Sequence, residues 1–185
     1  MKDGVKQEIL RYKNLLQQNK VDEFFRNVGR RASVADALLS ETSAPILNYM
    51  TEIPPYFLDN GCRVKDLLIP GNIKIISGRA FYDSNLRSVK MESGVKTIEA
   101  QCFEGCKSLE VVDLSDTIEN IPSEAFADCI NLKRLFLPDS IKTIGNNAFK
   151  NCDDIEIVAN FRVKDKIKAR KSDLEFLKKH LKFTH

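Results

Sequence analysis

Cysteine and histidine are the residues of this chain best suited to catalysis or metal binding, and they are few. The 185 residues include five cysteines and two histidines. Cys106, Cys129 and Cys152 recur at steps of 23 residues, so aligned thiols on neighbouring units could in principle approach one another. Zinc sites, however, usually take paired C-x-x-C ligands or cysteine together with histidine, and no C-x-x-C occurs here. The spacing favours packing over metal binding, and it predicts neither a metal nor a cofactor.

Catalytic arrangements also find little support in the sequence. His180 and His185 lie near the C-terminus, and neither shares a repeat unit with a candidate nucleophile. The adjacent Asp153 and Asp154 are typical of a solvated turn rather than of an acid-base pair. No G-x-x-x-x-G-K-[ST] or G-x-G-x-x-G motif is present to bind a phosphate. The sequence therefore predicts no enzyme activity.

A repeat of 22 or 23 residues organises the chain from residue 53 onward. Isoleucines recur at Ile53, Ile76, Ile98, Ile121 and Ile144, and phenylalanines recur at Phe57, Phe81, Phe103, Phe126 and Phe149. The last three phenylalanines are each followed three residues later by cysteine, and Ser84 takes that place in the second unit. A fixed period of this length indicates stacked units that bury one continuous core.

Each unit is predicted to form a strand, a turn, a short second strand and a second turn. In LKRLFLP, Leu135 and Leu137 alternate with exposed positions, and Pro138 ends the strand because it cannot donate a ladder hydrogen bond. In the following DSIKTIG, Ile144 points inward, and NNAFKNC forms a turn that buries Phe149. Cysteine, which is small and weakly polar, suits the tight turn beside each phenylalanine.

The stretch LKRLFLPDSIKTIGNNAFKNC resembles the BspA-type class of leucine-rich repeats, whose units follow LP.S…IG..AF..C..L. The match covers roughly residues 51–160 and is most specific in the fourth and fifth units. The resemblance implies an α+β repeat fold, a leucine-rich-repeat solenoid of about five 22–23-residue units. The first unit, EIPPYFLDNGCRVKDLLIPGNI, fits more loosely, as expected of an end unit with a different neighbour.

Residues 1–50 precede the repeats and carry helical patterns. Apolar residues follow one helix face near the start, a second helix is predicted over 21–31, and a third begins at Ser33. We expect a small helical cap over the N-terminal end of the solenoid, because an uncovered strand edge promotes self-association. The alternative is a separate recognition module.

Residues 161–185 form a third, basic segment that is predicted to be a C-terminal capping helix. It carries nine Lys or Arg and three acids, a net charge of +6, whereas residues 1–160 carry 20 bases and 23 acids. Ser172 and Glu175 resemble a capping box and predict a helix from about Asp173 to Phe183. The apolar stripe of the segment comprises Phe161, Val163, Ile167, Leu174, Leu177 and Leu181. Its basic residues are expected to be solvated.

The chain is expected to be cytoplasmic. Its N-terminus, MKDGVKQEIL, has no apolar leader region, and no run of 18 apolar residues occurs. Five cysteines are an odd number, which favours free thiols and a reducing compartment. Many BspA-type proteins are large surface molecules, but this sequence is more similar to short intracellular members found in bacteria and their phages.

The predicted function is that of a non-catalytic scaffold that binds a protein partner through the outward side of the strands. Two outward columns make up this candidate surface: Asp66, Ser88, Val111, Arg134 and Ile157, and Leu68, Lys90, Asp113, Phe136 and Ala159. Phe136, Val111 and Arg134 are the candidate anchors, because interface cores favour aromatic and arginine side chains with apolar neighbours.

Two other functions remain open. The first, a narrower form of the scaffold, is an inhibitor or adaptor of one host protein, encoded by a phage or a mobile element. The second is nucleic-acid binding through the basic segment, whose candidate phosphate contacts are Lys164, Lys166, Lys168, Arg170 and Lys171.

Overall fold

The computed structural model describes residues 46–58, 64–163 and 166–184. The helices and cap predicted within residues 1–45 lie outside these ranges. Six longer strands are β2 (Asp66–Ile69), β4 (Ser88–Met91), β6 (Val111–Asp113), β8 (Arg134–Leu137), β10 (Glu156–Asn160) and β11 (Leu181–Thr184). Five two-residue strands are β1 (Glu52–Ile53), β3 (Ile75–Ile76), β5 (Thr97–Ile98), β7 (Asn120–Ile121) and β9 (Thr143–Ile144). An α-helix, α1, spans Lys171–His180, and 3-10 helices span Ile46–Tyr49 and Phe161–Val163.

The strands confirm a leucine-rich-repeat solenoid of about five units. The longer strands form one parallel sheet in the order β11-β10-β8-β6-β4-β2, so each coil contributes one strand. The short strands line the opposite side as β1-β3-β5 and β7-β9, and Lys168 extends the second group through a bridge to Thr143. Each coil therefore hydrogen-bonds the next along the stack, as the repeat requires.

Phenylalanine rings form the centre of the core. The rings of Phe81, Phe103, Phe126 and Phe149 stack in sequence, with centroid distances of 5.0, 5.3 and 5.7 Å. Phe57 meets Phe81 edge-on at the first coil. The inner three rings are fully buried, which confirms that the repeated phenylalanine fills the coil interior. Stacked rings at these distances add attraction beyond the burial of their area.

The repeated cysteines lie beside this ring stack and hydrogen-bond one coil to the next. The thiols of Cys106, Cys129 and Cys152 each donate to the carbonyl of the phenylalanine one coil earlier, at 3.0 Å. Ser84, in the same column, lies 3.3 Å from the Cys106 sulfur. The prediction that cysteine serves a compact turn is confirmed, and its thiol supplies the second donor to a carbonyl that already accepts a turn N–H.

The turn that carries each phenylalanine contains two columns of residues in the left-handed backbone region. The first column comprises Tyr56, Arg79, Gln101, Glu124 and Asn147, and the second comprises Asp83, Gly105, Asp128 and Asn151. Only one of these nine is glycine, although non-glycine residues with positive φ are uncommon. The second column carries only Asp, Gly and Asn, residue types that adopt this region readily. In the first column Tyr56, Arg79, Gln101 and Glu124 do not favour it, so the repeated hydrogen bonds between coils must hold the conformation there.

The C-terminal end of the stack differs from the prediction in two ways. The helix α1 ends at His180, and residues 181–183, predicted as helix, belong to β11, which pairs in parallel with β10. The predicted capping box is wrong, since the N-cap residue is Arg170 and no side chain caps the helix. Instead, the Asp173 carboxylate accepts the N–H of Asn147 from the last full coil. The helix thus takes the place of a sixth coil.

Most of the predicted apolar stripe does pack against the solenoid. Val163 and Leu177 are buried, and Ile167, Leu174 and Leu181 contact the core. Phe161 is the exception, because its side chain is 60% exposed. The ring stack is continued instead by Phe176, which stacks on Phe149 at 6.0 Å and on His180 at 4.3 Å.

We predict that Phe126→Ala lowers the free energy of unfolding by about 3–5 kcal/mol, because it leaves a cavity between two stacked rings. Phe161→Ala is the matched control. Its exposed ring meets the ring of Phe183 edge-on at the surface, so the loss should stay below about 1.5 kcal/mol. Urea unfolding followed by circular dichroism measures both, and equal losses would contradict a core built on the ring stack.

Candidate protein-binding surface

The outward side of the six-stranded sheet is the main candidate surface, and we call it the strand face. Its first column is Asp66, Ser88, Val111, Arg134 and Glu156, and its second is Leu68, Lys90, Asp113, Phe136, Val158 and Lys182. Strands about 4.8 Å apart give this six-strand surface a length of about 24 Å. Eight of the ten residues predicted for the two columns are found here.

Ile157 and Ala159 were predicted on this surface, and that prediction is wrong. Both side chains are buried in the core, and Glu156 and Val158 take their places facing outward. The fifth unit has one residue fewer between its buried Ile155 and its strand than the fourth unit has after Leu132. A shift of one residue along a strand exchanges its inward and outward side chains. A constant 23-residue step from Arg134 and Phe136 therefore leads to the buried Ile157 and Ala159 instead of to their outward neighbours.

A group of apolar side chains, which we call the apolar centre, lies towards the β10 end of the strand face. Phe136, which is 37% exposed, pairs in register with the partly exposed Val158 on the neighbouring strand. Val111 is also partly exposed and pairs with Arg134, whose side chain is exposed next to this apolar group. The structure thus brings together the three predicted anchors and adds Val158, which the sequence analysis missed because of the register shift.

The other end of the strand face is polar and internally satisfied. The Ser88 hydroxyl donates to Asp66 at 2.6 Å, and Lys90 lies 3.9 Å from the Asp113 carboxylate. Both members of this ion pair are well exposed, so it stabilises the fold little. Leu68 is 51% exposed at the far edge strand. The polar groups of Ser88, Lys90 and Asp113 therefore border the apolar centre on one side, as part of an interface rim does.

The opposite, short-strand side of the solenoid carries a column of lysines that the sequence analysis did not recognise. Backbone hydrogen bonds join Lys96 to Lys74 and Lys168 to Lys142, and in the intervening coil Glu119 forms an ion pair with Lys142 at 2.7 Å. Lys168 brings the basic segment into this column. The exposed cations here called the basic column are Lys74, Lys96, Lys142 and Lys168, which these contacts align, together with Lys166, Arg170 and Lys171, which are exposed and follow or precede Lys168 closely in the chain.

Of the five predicted phosphate-binding residues, four belong to the basic column. Lys166, Lys168, Arg170 and Lys171 are all exposed. Lys164 lies outside the described residues. The structure therefore lengthens the predicted basic surface along the stack, beyond the C-terminal segment in which the sequence analysis placed it.

Groups with catalytic potential are dispersed or engaged in packing. His180 is buried, and its Nδ1 lies 2.8 Å from the carbonyl of Ile155. Within the described residues, no cluster of three or more His, Cys, Asp or Glu is arranged to hold a metal ion. Cys102, Cys106, Cys129 and Cys152 are free and buried. Burial raises the pKa of the Cys102 thiol well above its usual range and raises that of Cys152 to about 12.

Comparison with known families now identifies the repeat. The chain matches the BspA type leucine rich repeat region in six copies over residues 51–170. The chain belongs to the BspA-type leucine-rich repeat family. Repeats of this class generally serve protein interaction and are generally non-enzymatic. A comparison with curated proteins found no significant match.

Two solved structures show how this BspA-type chain relates to larger proteins. It is similar to a leucine rich cell surface protein from Faecalibacterium prausnitzii, with 27% identity and a TM-score of 0.52 over 62% of this chain and 34% of that one. It is also similar to the pneumococcal vaccine antigen PcpA, with 23% identity and a TM-score of 0.50 over 62% of this chain and 37% of that one. The second likeness shows the fold alone. The BspA-type chain thus spans about a third of each protein.

The length and hydrophobicity of the described helices, including α1, bear on whether this protein could cross a membrane. Among the residues described, no helix of this BspA-type protein is long and apolar enough to cross a membrane.

We predict that the four described thiols resist modification in the native state. A maleimide reagent near neutral pH should label Cys102, Cys106, Cys129 and Cys152 slowly until the protein is unfolded, because burial shields the thiols and the reactive form is the thiolate. Mass spectrometry of the digested protein locates the label. Rapid native labelling at any of these four positions would contradict a closed coil stack.

The same burial predicts a loss of stability at alkaline pH. Because native Cys152 keeps its proton longer than the unfolded thiol, its contribution is complete below about pH 8.5, the unfolded pKa, and is lost as the pH rises towards the native value of about 12. Cys152→Ser removes this titration and keeps a donor for Phe126. Urea unfolding near neutral pH and at about pH 10 should therefore show a smaller decline for the variant, and equal declines would contradict the assignment.

Proposed function

We propose that this protein is a non-catalytic interaction scaffold that binds a protein partner through the strand face. The observation that carries the proposal is the apolar centre formed by Phe136, Val158 and Val111 beside the exposed Arg134. Aromatic and arginine side chains with apolar neighbours are the groups that dominate interface energies. Membership in a family of interaction repeats supports the proposal independently.

The surrounding charges suit a selective rather than a general contact. Lys90, Asp113, Glu156 and Lys182 place charges of both signs near the apolar centre. A partner must present the complementary pattern, because like charges brought together at an interface cost on the order of several kcal/mol. The strand face is also rigid, since every strand is hydrogen-bonded to its neighbours and its inward side chains are packed in one core. A partner therefore binds with little loss of backbone freedom on this side.

We predict that Phe136→Ala weakens partner binding by more than ~1 kcal/mol, about fivefold in Kd, without a change in melting temperature. Ile130→Ala is the matched control, because Ile130 is also apolar and 53% exposed but lies in a turn away from the strand face. Tagged wild type and both variants are used to capture partners from host lysate with nuclease present, and the captured protein is then titrated in purified form. Retention of full affinity by Phe136→Ala would show that this is not the interface.

The narrower proposal is that the partner is one host protein that the scaffold inhibits or recruits, as a phage- or mobile-element-encoded factor would. The separation of a single apolar centre from a polar remainder supports one principal contact. In the same capture experiment, one stoichiometric partner whose activity changes on addition of the scaffold supports this proposal. Several unrelated partners of similar affinity would contradict it.

A cytoplasmic location belongs to the proposal as well. Its support is chemical, since the four described cysteines are free thiols and such thiols persist in a reducing compartment. Fractionation of the producing cell, followed by immunoblotting, tests it, and recovery at the cell surface would overturn it.

Nucleic-acid binding is the second candidate function, and the basic column favours it. Lys168 continues the backbone pairing of the short strands, so that exposed cations extend from the C-terminal segment along several coils. Cations aligned in this way are suited to contact successive phosphates of a nucleic acid, whatever its base sequence. Glu119 interrupts the column and pairs with Lys142, which weakens the surface at its middle.

We predict that, if this second function operates, affinity for a single-stranded oligonucleotide falls steeply with salt. Lys168→Glu combined with Arg170→Glu should then lower the slope of log K against log salt by about 1.4, or about 0.7 for each lost phosphate contact. Lys107→Glu combined with Lys133→Glu is the control of equal charge, placed off the basic column. Fluorescence anisotropy measures the salt dependence of binding for both double variants. Equal effects would show that binding depends on net charge alone, which would contradict a specific role of the basic column.

A further inference from the structure

A cavity of about 210 Å³ lies between the last full coil and the start of α1. Its walls include the turn residues Asn147, Phe149 and Asn151 on one side, and Ser172, Asp173 and Phe176 of the helix on the other. The volume is several times the roughly 30 Å³ that one water molecule occupies in the liquid. The cavity is distinct from the strand face and from the basic column.

Two backbone donors at this cavity lack the acceptors that their equivalents have in each of the three preceding coils. In the preceding coil, the N–H groups of Phe126 and Asp128 donate to the carbonyls of Ala148 and Lys150, at 2.9 and 2.8 Å. One coil earlier still, the N–H groups of Phe103 and Gly105 donate to Ala125 and Ala127.

The corresponding N–H groups of Phe149 and Asn151 have no acceptor among the described residues. The helix α1 supplies the ring of Phe176 in the place of a sixth coil, but it supplies no carbonyls at these two positions. The cavity therefore presents two backbone N–H groups that no protein acceptor among the described residues occupies and that a ligand can use.

An acceptor completes the arrangement. One oxygen of Asp173 accepts the N–H of Asn147 at 3.2 Å, in place of the carbonyl that the inner coils provide for that column. The other oxygen, Oδ2, is buried and has no hydrogen-bond partner among the residues described. A ligand in the cavity therefore meets two N–H donors in a row and one carboxylate acceptor beside them.

We propose that this cavity binds the main chain of an extended peptide segment from a partner protein. Two carbonyls of the segment, spaced two residues apart, accept from Phe149 and Asn151, as the carbonyls of the next coil do throughout the stack. An N–H of the same segment donates to Asp173 Oδ2. The segment carries small side chains, because Phe176 already fills the place of the repeated phenylalanine. Recognition of this kind extends an open backbone edge by one more strand-like piece.

The charges at the cavity select a peptide group over an anion. A carboxylate or phosphate could accept from the two N–H groups, but the lining holds two carboxylates, Asp153 and Asp173, against one ammonium group, Lys150, so an anion would meet a net negative charge. Like charges at such short range repel. A peptide group carries no net charge and presents a donor as well as an acceptor, so it satisfies both sides.

The test titrates the ¹⁵N-labelled full chain with the tripeptide amide acetyl-Ala-Ala-Ala-NH₂ and, in parallel, with sodium acetate at constant ionic strength. We expect the tripeptide to shift the amide signals of Phe149 and Asn151 with a dissociation constant of about 1–10 mM, as suits a ligand held by a few hydrogen bonds. Asp173→Asn keeps an acceptor for Asn147 but replaces Oδ2 by a donor, so tripeptide binding should weaken several-fold.

Asp154→Asn is the control variant, because this exposed acid removes the same charge without lining the cavity. It should leave tripeptide binding unchanged, and the dispersion of the spectra shows that both variants fold. Three results would overturn the proposal: no shift of the two amides at about 100 mM tripeptide, binding of acetate in place of the tripeptide, or equal tripeptide binding by wild type and Asp173→Asn.

Discussion

Hydrogen bonding between successive coils is the constraint on which this structure depends. Each coil leaves its strand and turn groups unpaired until the next coil supplies partners, and none buries an apolar face alone. The stacked rings, the thiol column and the left-handed turn residues all lie in positions that this pairing sets. The pairing also explains the C-terminal end, where α1 and β11 replace different parts of a missing coil: one continues the rings, the other continues the sheet.

The same constraint separates the residues that hold the fold from those that carry function. Inward columns must repeat Ile, Phe and Cys to fill the core, whereas outward columns are exposed to solvent and vary from coil to coil. The apolar centre of the strand face and the basic column both arise on outward positions, on opposite sides of one core. Under the proposed function, a few side chains that this rigid platform displays determine which partner binds.

The repeat unit could be predicted from the sequence because its signal recurs, so that one ambiguous unit is corrected by its neighbours. Features that occur only once in the chain have no equivalent units against which a wrong prediction could be corrected. The shortened fifth unit moved Ile157 and Ala159 inward, and β11 was missed because LKFT occurs once, after a helical pattern. The first left-handed column carries mainly Tyr, Arg, Gln and Glu, residue types that give no local sign of positive φ, unlike the Asp, Gly and Asn of the second. Hydrogen bonds from neighbouring coils impose that conformation, and a local pattern does not contain them. The open edge beside Asp173 is likewise a property of the end of the stack rather than of any motif.

The direction of the hydrogen bonds between coils also determines how this protein responds to force. They run along the axis of the stack, so tension applied along that axis loads the bonds of one coil at a time instead of shearing many together. The solenoid should therefore yield by peeling, with each detached coil releasing a similar length of chain, and act as an extensible tether at low load. Its resistance to sideways load is a different property, because there the bonds of every coil share the force.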